Sequence, residues 1–182
     1  MPLLNSITTP YAEAFLQVAD AQNETDQVVA QARTILALWH ESTELREAMA
    51  SPVLEVDAKK SALEGLFGTQ VTPTFLSLLK LLADRHRIGV LDAVLERLLD
   101  LYREQRNIAL ATVTSASPLG DSELAQITSR VKTVAGTDHV EIVQKLDPSL
   151  IAGFVVSVGS QVIDASLSGQ VRRLGLALAK VS

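Results

Sequence analysis

The sequence predicts a six-helix bundle followed by a small α/β domain with a mixed sheet. Three observations carry this reading. Residues 1–105 hold apolar side chains at helical spacing, cut into six segments by proline, glycine and Ser/Thr caps. From Arg106 onward β-branched runs appear and the period shortens toward two. Their order, strand, helix, three strands, helix, is that of a helix-covered sheet in residues 106–182.

The first helix is expected to start at Thr9, a cap, with Pro10 in the first turn. Tyr11, Ala14, Phe15, Val18 and Ala19 then share one face, and Asn23 to Thr25 break the pattern. A second helix is expected over Asp26–Glu41, with Val28, Ala32, Ile35 and Trp39 inward. Ser42 or Thr43 opens a third that runs to Met49, ended by Ser51-Pro52, because the residue before proline avoids the α region. A fourth spans Asp57–Phe67 and stops at Gly68. Thr72-Pro73 starts a fifth that runs to about Asp84, and a sixth covers Val90–Gln105. Such short links imply an antiparallel bundle.

In the second half, Ile108–Thr114 reads as a strand. Asp121 or Ser122 caps a helix whose inner face is Leu124, Ile127, Val131 and Val134, and Gly136 ends it. Val140–Leu146 alternates as a second strand. Ile151–Val158, with Gly153 inside it, and Gln161–Leu167 form a hairpin around Gly159-Ser160. Ser168 is the expected cap of a last helix carrying Val171, Leu174 and Leu178.

Composition narrows the function. Sixteen basic residues against 21 acidic give a net charge of −5, the wrong sign for a sequence-independent nucleic-acid binder. No cysteine is present, so disulfides and thiolate metal sites are excluded. No apolar run reaches the ~18–20 residues of a membrane span. Met1 to Asn5 lack the basic start of a secretory signal, and no organelle leader is read there. His40, His86 and His139 are dispersed, without metal-ligand spacing, so no metal and no cofactor is expected. There is no Gly-Lys-Ser/Thr phosphate loop and no Gly-x-Ser-x-Gly elbow. Asp84-Arg85-His86-Arg87 has the wrong order for a catalytic loop and reads as a cationic helix end.

Two helices have more apolar surface than a bundle stripe needs. In the fifth, Phe75, Leu76, Leu78, Leu79, Leu81, Leu82 and Ala83 cover roughly 200° of the circumference, against ~100° for a surface helix. The first is polar only along Glu13, Gln17 and Asp20. Such a helix is either central in the bundle or lined up for a partner.

Three stretches resemble one family. They are Pro10-Tyr11-Ala12, Ala83-Asp84-Arg85-His86-Arg87-Ile88, and the segment holding Ala152-Gly153, Val162-Ile163-Asp164 and Ser168-Gly169 to Arg173-Leu174. In this order and separation they are similar to the delta subunits of bacterial and plastid F-type ATP synthases, the oligomycin-sensitivity-conferring protein family. Ala165 departs from the pattern, which often has glycine there. The resemblance implies a non-catalytic stator connector. Its first domain would hold the N-terminal helix of an alpha subunit in a groove between the first and fifth helices. Tyr11, Ala14, Phe15, Val18, Phe75, Leu78, Leu79 and Leu82 are the candidate groove residues, with Arg87 at the rim. The second domain would hold the C-terminal helices of peripheral-stalk b subunits, with Gly153, Asp164, Arg172 and Arg173 as candidates. On the residues alone, Arg172-Arg173 read first as a solvated face, and a contact with an acidic partner helix is the minority reading. The implied location is the cytoplasmic face of a plasma or thylakoid membrane. A helical adaptor of an unrelated assembly and a small α/β enzyme with a helical regulatory half are the alternatives.

Overall fold

The computed structural model describes residues 2–150, 152–167, 169 and 171, with side chains from Ser6 onward. The chain divides into two compact units, Met1–Tyr102 and Arg103–Ser182. The division falls in the last turns of the sixth helix.

The first unit contains α1 (Pro2–Ala21), α2 (Thr25–Glu41), α3 (Thr43–Ala50), α4 (Val56–Phe67), α5 (Pro73–Asp84) and α6 (Leu91–Arg106), whose last residues pass into the second unit. A 3-10 turn over Ile88–Val90 precedes α6. One core joins them, with Leu16, Trp39, Leu63, Phe75, Leu79, Leu82, Leu91 and Leu95 each at most 1% exposed. Side-chain caps start α3 and α5: Leu45 N–H donates to Ser42 Oγ, and Phe75 N–H to Thr72 Oγ1, both at 3.2 Å.

The start of α1 differs from expectation. The helix begins well before Thr9, and Pro10 lies inside it. Proline removes the bond to the carbonyl four residues back. That carbonyl belongs to Ser6, which is exposed, and the helix runs on through Pro10.

Three helices end in one way. Asn23, His86 and Asn107 adopt positive φ of 58°, 54° and 51°. After each, a backbone N–H reaches back five residues: Glu24 to Ala19 at 2.9 Å, Arg87 to Leu82 at 2.7 Å, and Ile108 to Arg103 at 2.9 Å. These are Schellman ends built without glycine.

The second unit contains β1 (Ala109–Ser115), α7 (Asp121–Ala135), β2 (Val140–Leu146), β3 (Phe154–Val158) and β4 (Gln161–Asp164). The sheet order is β2-β1-β3-β4, with β1 parallel to β2 and antiparallel to β3, and β3 antiparallel to β4. Ala111, Val113, Val156 and Val158 share the face covered by Ile127 and Val131 of α7. Arg103 makes a paired contact to Glu141, from Nε at 3.0 Å and Nη2 at 3.2 Å.

Several details of this unit correct the sequence reading. The cap of α7 is Gly120, whose N–H donates to Glu123 Oε2 at 3.0 Å, rather than Asp121 or Ser122. Val134 is 37% exposed and lies off the inner face. Gly153 precedes β3 instead of lying inside it, with φ +84°, and a Cβ there would sit 2.5 Å from the Ala165 carbonyl oxygen. The return strand stops at Asp164, because Asp164 turns its carboxylate onto the Ser166 N–H at 2.9 Å and hydroxyl at 2.6 Å. Ser166 Oγ in turn accepts from Gly169 N–H at 3.0 Å, a capping bond two residues ahead of Ser168. Ser168 itself, Arg172, Arg173 and the remainder of the expected last helix lie outside the described residues.

Candidate partner-binding groove

Helices α1 and α5 lie side by side and antiparallel. Phe15 and Phe75 meet edge to face, with ring centroids 5.3 Å apart and planes at 89°. At one end, the Thr74 hydroxyl lies 2.5 Å from Gln22 Oε1 and 3.1 Å from Glu24 Oε2. At the other, Arg87 Nη1 donates to the Tyr11 hydroxyl at 2.9 Å and the guanidinium stands 5.6 Å from that ring's centroid.

Between these ends runs an open groove of about 590 Å³. From α1 it is lined by Pro10, Tyr11, Ala14, Phe15 and Val18, with Gln22 at the end. From α5 it is lined by Leu78 and Leu81, with Pro73, Thr74 and Ser77. None of the described residues that line it is charged. Phe15 and Leu78, each 5% exposed, form the floor, and Val18 and Leu81, 45% and 42% exposed, stand on the walls. Large aliphatic side chains so exposed, facing each other across a cleft, mark a place where another apolar surface can pack.

The structure sorts the candidate residues. It brings Tyr11, Ala14, Phe15, Val18 and Leu78 together on the groove, with Arg87 against Tyr11. It does not bring Phe75, Leu79 and Leu82 there: all three are fully enclosed in the bundle core. The reason is angular. Phe75, Leu79 and Leu82 form the i, i+4, i+7 stripe that faces inward, whereas Thr74, Ser77, Leu78 and Leu81 form the adjacent stripe. Leu81 was counted in the apolar surface of the helix but not among the groove candidates, although its spacing from Thr74 and Ser77, the small polar members of the helix, marks that second stripe.

In the second unit, Gly153 and Asp164 hold the turn that follows the hairpin, as described above. A Cβ on Gly169 would run into the Asp164 carboxylate. Gly153 and Asp164 are thus tied to this local turn. Hydrogen bonds from the Ser149 hydroxyl and then its backbone N–H hold the Asp147 carboxyl below its ordinary value.

Other features offer less. A cleft of about 190 Å³ lies between α2 and the α4–α5 connection, with Leu38 39% exposed beside it. A cavity of about 10 Å³ under α7 is too small for a substrate. His40, His86 and His139 are exposed. Among the described residues no cluster of three His, Cys, Asp or Glu could hold a metal, and no helix is long and apolar enough to cross a membrane.

Comparison with known proteins agrees with this architecture. The family model described as "ATP synthase delta (OSCP) subunit" matches residues 7–178. The chain is 71% identical over its whole length, and the whole of the relative, to an ATP synthase subunit delta of Prochlorococcus marinus strain MIT 9303. To the subunit delta of Synechococcus sp. strain CC9311 it is 60% identical, again over all of both chains. A chain in the cryo-electron-microscopy structure of the Toxoplasma gondii mitochondrial ATP synthase hexamer has the same fold, with a TM-score of 0.73 at 20% identity, covering 93% of this chain and 96% of that one. The family match over residues 7–178 and the full-length matches to these relatives show that the chain belongs to the ATP synthase delta (OSCP) subunit family.

Proposed function

We propose that this subunit is a non-catalytic connector that fixes the catalytic head of a proton-translocating ATP synthase to its peripheral stalk. The observation that carries the proposal is the uncharged groove between α1 and α5. Its place between two antiparallel helices and its apolar walls suit an amphipathic helix laid lengthwise. The occupant is the N-terminal helix of an alpha subunit. From Tyr11 to Gln22 the groove is about 16 Å long at 1.5 Å per residue, room for roughly three turns. Val18 and Leu81 are the principal walls, and a large apolar side chain fully buried contributes about 1.5–3 kcal/mol. A few such contacts give a firm but reversible grip.

The α/β unit holds the C-terminal helices of the stalk b subunits, with Arg172 and Arg173 as candidate contacts. Two modest contacts on one chain resist rotation of the head better than either alone, because each raises the effective concentration of the other. The role is mechanical and is performed at the cytoplasmic face of the energy-transducing membrane, thylakoid or plasma.

Mixing the full chain with delta-depleted catalytic head and with the soluble part of the b subunits tests this. A ternary complex on size exclusion is expected, with the head and b segments failing to associate without the chain. If the chain binds neither, or if one partner displaces the other, the connector role is wrong.

A further inference from the structure

The groove is mostly apolar, none of its described lining residues is charged, and two charged side chains stand just beyond its ends. Arg87 stands at the Tyr11 end, and Glu24 at the Gln22 end, where its carboxylate lies 3.1 Å from the Thr74 hydroxyl. Arg87 is built into place. The αL residue His86 turns the chain, the Arg87 N–H caps Leu82 at 2.7 Å, and the guanidinium rests over the Tyr11 ring while bonding its hydroxyl. One of five guanidinium donors is directed at Tyr11, and the side chain is exposed. A planar guanidinium already held by a hydrogen bond and a cation–ring contact loses little freedom when it takes a second partner.

Resting on the docking role proposed above, we infer that Arg87 is a specificity-determining latch: it takes a carboxylate of the guest helix and so sets the helix's register in the groove. Apolar packing alone leaves register open, since sliding by one turn, about 5.4 Å, replaces one apolar contact by another. A carboxylate paired with Arg87 removes that freedom, and the opposite charge at Glu24 repels the same acidic end if the helix enters reversed. The partner chemistry is therefore an amphipathic helix with an acidic residue at the Tyr11 end of its apolar stripe. Tyr11 is a positioning residue in this arrangement, acting through Arg87.

The test uses the full chain and a fluorescent peptide of the alpha-subunit N-terminus, with affinity read by anisotropy at several salt concentrations. R87E is expected to weaken binding at least about tenfold, the scale of a lost charge-assisted hydrogen bond. R87Q is expected to flatten the salt dependence, and R87K to recover part of the affinity. Replacing the peptide's acidic residues by lysine one at a time is expected to restore binding to R87E at one position only, which a purely structural role for Arg87 would not do. Equal affinity of R87E and the unchanged protein, or loss with no rescue by any acid-to-lysine peptide, would overturn the latch while leaving the groove in place. Failure of the peptide to bind the unchanged protein would remove the docking role, and the latch with it.

Discussion

Arg87 and Tyr11, 76 positions apart in the chain, are joined twice: by a 2.9 Å hydrogen bond and by a cation 5.6 Å from the ring centroid. The contact exists because His86 adopts φ +54°, turning the chain at the end of α5 so that Arg87 swings back toward α1. A non-glycine residue in that region carries a steric cost. His86→Gly should therefore stabilise the protein by up to about 1 kcal/mol, read as a raised urea midpoint, with the Arg87–Tyr11 contact kept. A lowered midpoint would show that the imidazole contributes more than its backbone costs.

Groove and core substitutions should separate cleanly. Val18→Asp and Leu81→Asp alter half-exposed walls, so stability should change by about 0.5 kcal/mol or a little more. Phe75→Ala and Leu79→Ala empty fully enclosed positions and should cost about 2–5 kcal/mol. Chemical denaturation of the four variants checks both halves. Equal losses in the two pairs would mean that Val18 and Leu81 belong to the core.

The hairpin joint should be intolerant of a single methyl group. Gly153→Ala combines φ +84° with a Cβ 2.5 Å from the Ala165 oxygen, and should destabilise the α/β unit by more than about 1 kcal/mol. Gly169→Ala should be costly while Asp164 is present and milder in an Asp164→Ala background, because the added methyl meets that carboxylate. Thermal denaturation of the cycle measures the coupling.

Two surface groups set opposite pH limits. The Asp147 carboxyl is held below its ordinary 3.8 by Ser149, so its contribution is present above that value and is lost as pH falls through the lower, folded value. Lys60 bonds Asp84, with Nζ–O at 2.6 Å, and its ammonium is raised above 10.5, chiefly by that bond. Its contribution is present below 10.5 and fades as pH rises through the higher folded value. Carboxyl and ammonium titrations by NMR should show Asp147 titrating below 3.8 and Lys60 above 10.5. In Ser149→Ala the Asp147 midpoint should move upward.

Much of the fold was legible because local signals agreed with the packing. Thr72-Pro73, Ser42 and the turn at Gly159 mark boundaries by backbone chemistry that does not depend on distant neighbours. Pro10 misled for the same reason: its local preference for a helix start did not prevent α1 from beginning well before it. Asn23, His86 and Asn107 end helices at positions where sequence gives a weaker cue than glycine would. The groove was half legible. Excess apolar surface marked α1 and α5 as central or partner-facing and the family resemblance favoured a groove between them, but which stripe of α5 turns inward depends on the whole bundle. Hence Phe75, Leu79 and Leu82 proved to be core, while Leu81 and Ser77 line the cleft.

The central claim is that a foreign helix packs lengthwise between α1 and α5. NMR shift mapping on the full chain, titrated with the alpha N-terminal peptide, tests it most directly. The largest changes are expected at Tyr11, Ala14, Val18, Thr74 and Leu81, all abolished by Val18→Asp. Changes centred instead on Gln27, Leu38 and Gln70, beside the smaller cleft, and insensitive to Val18→Asp, would contradict it.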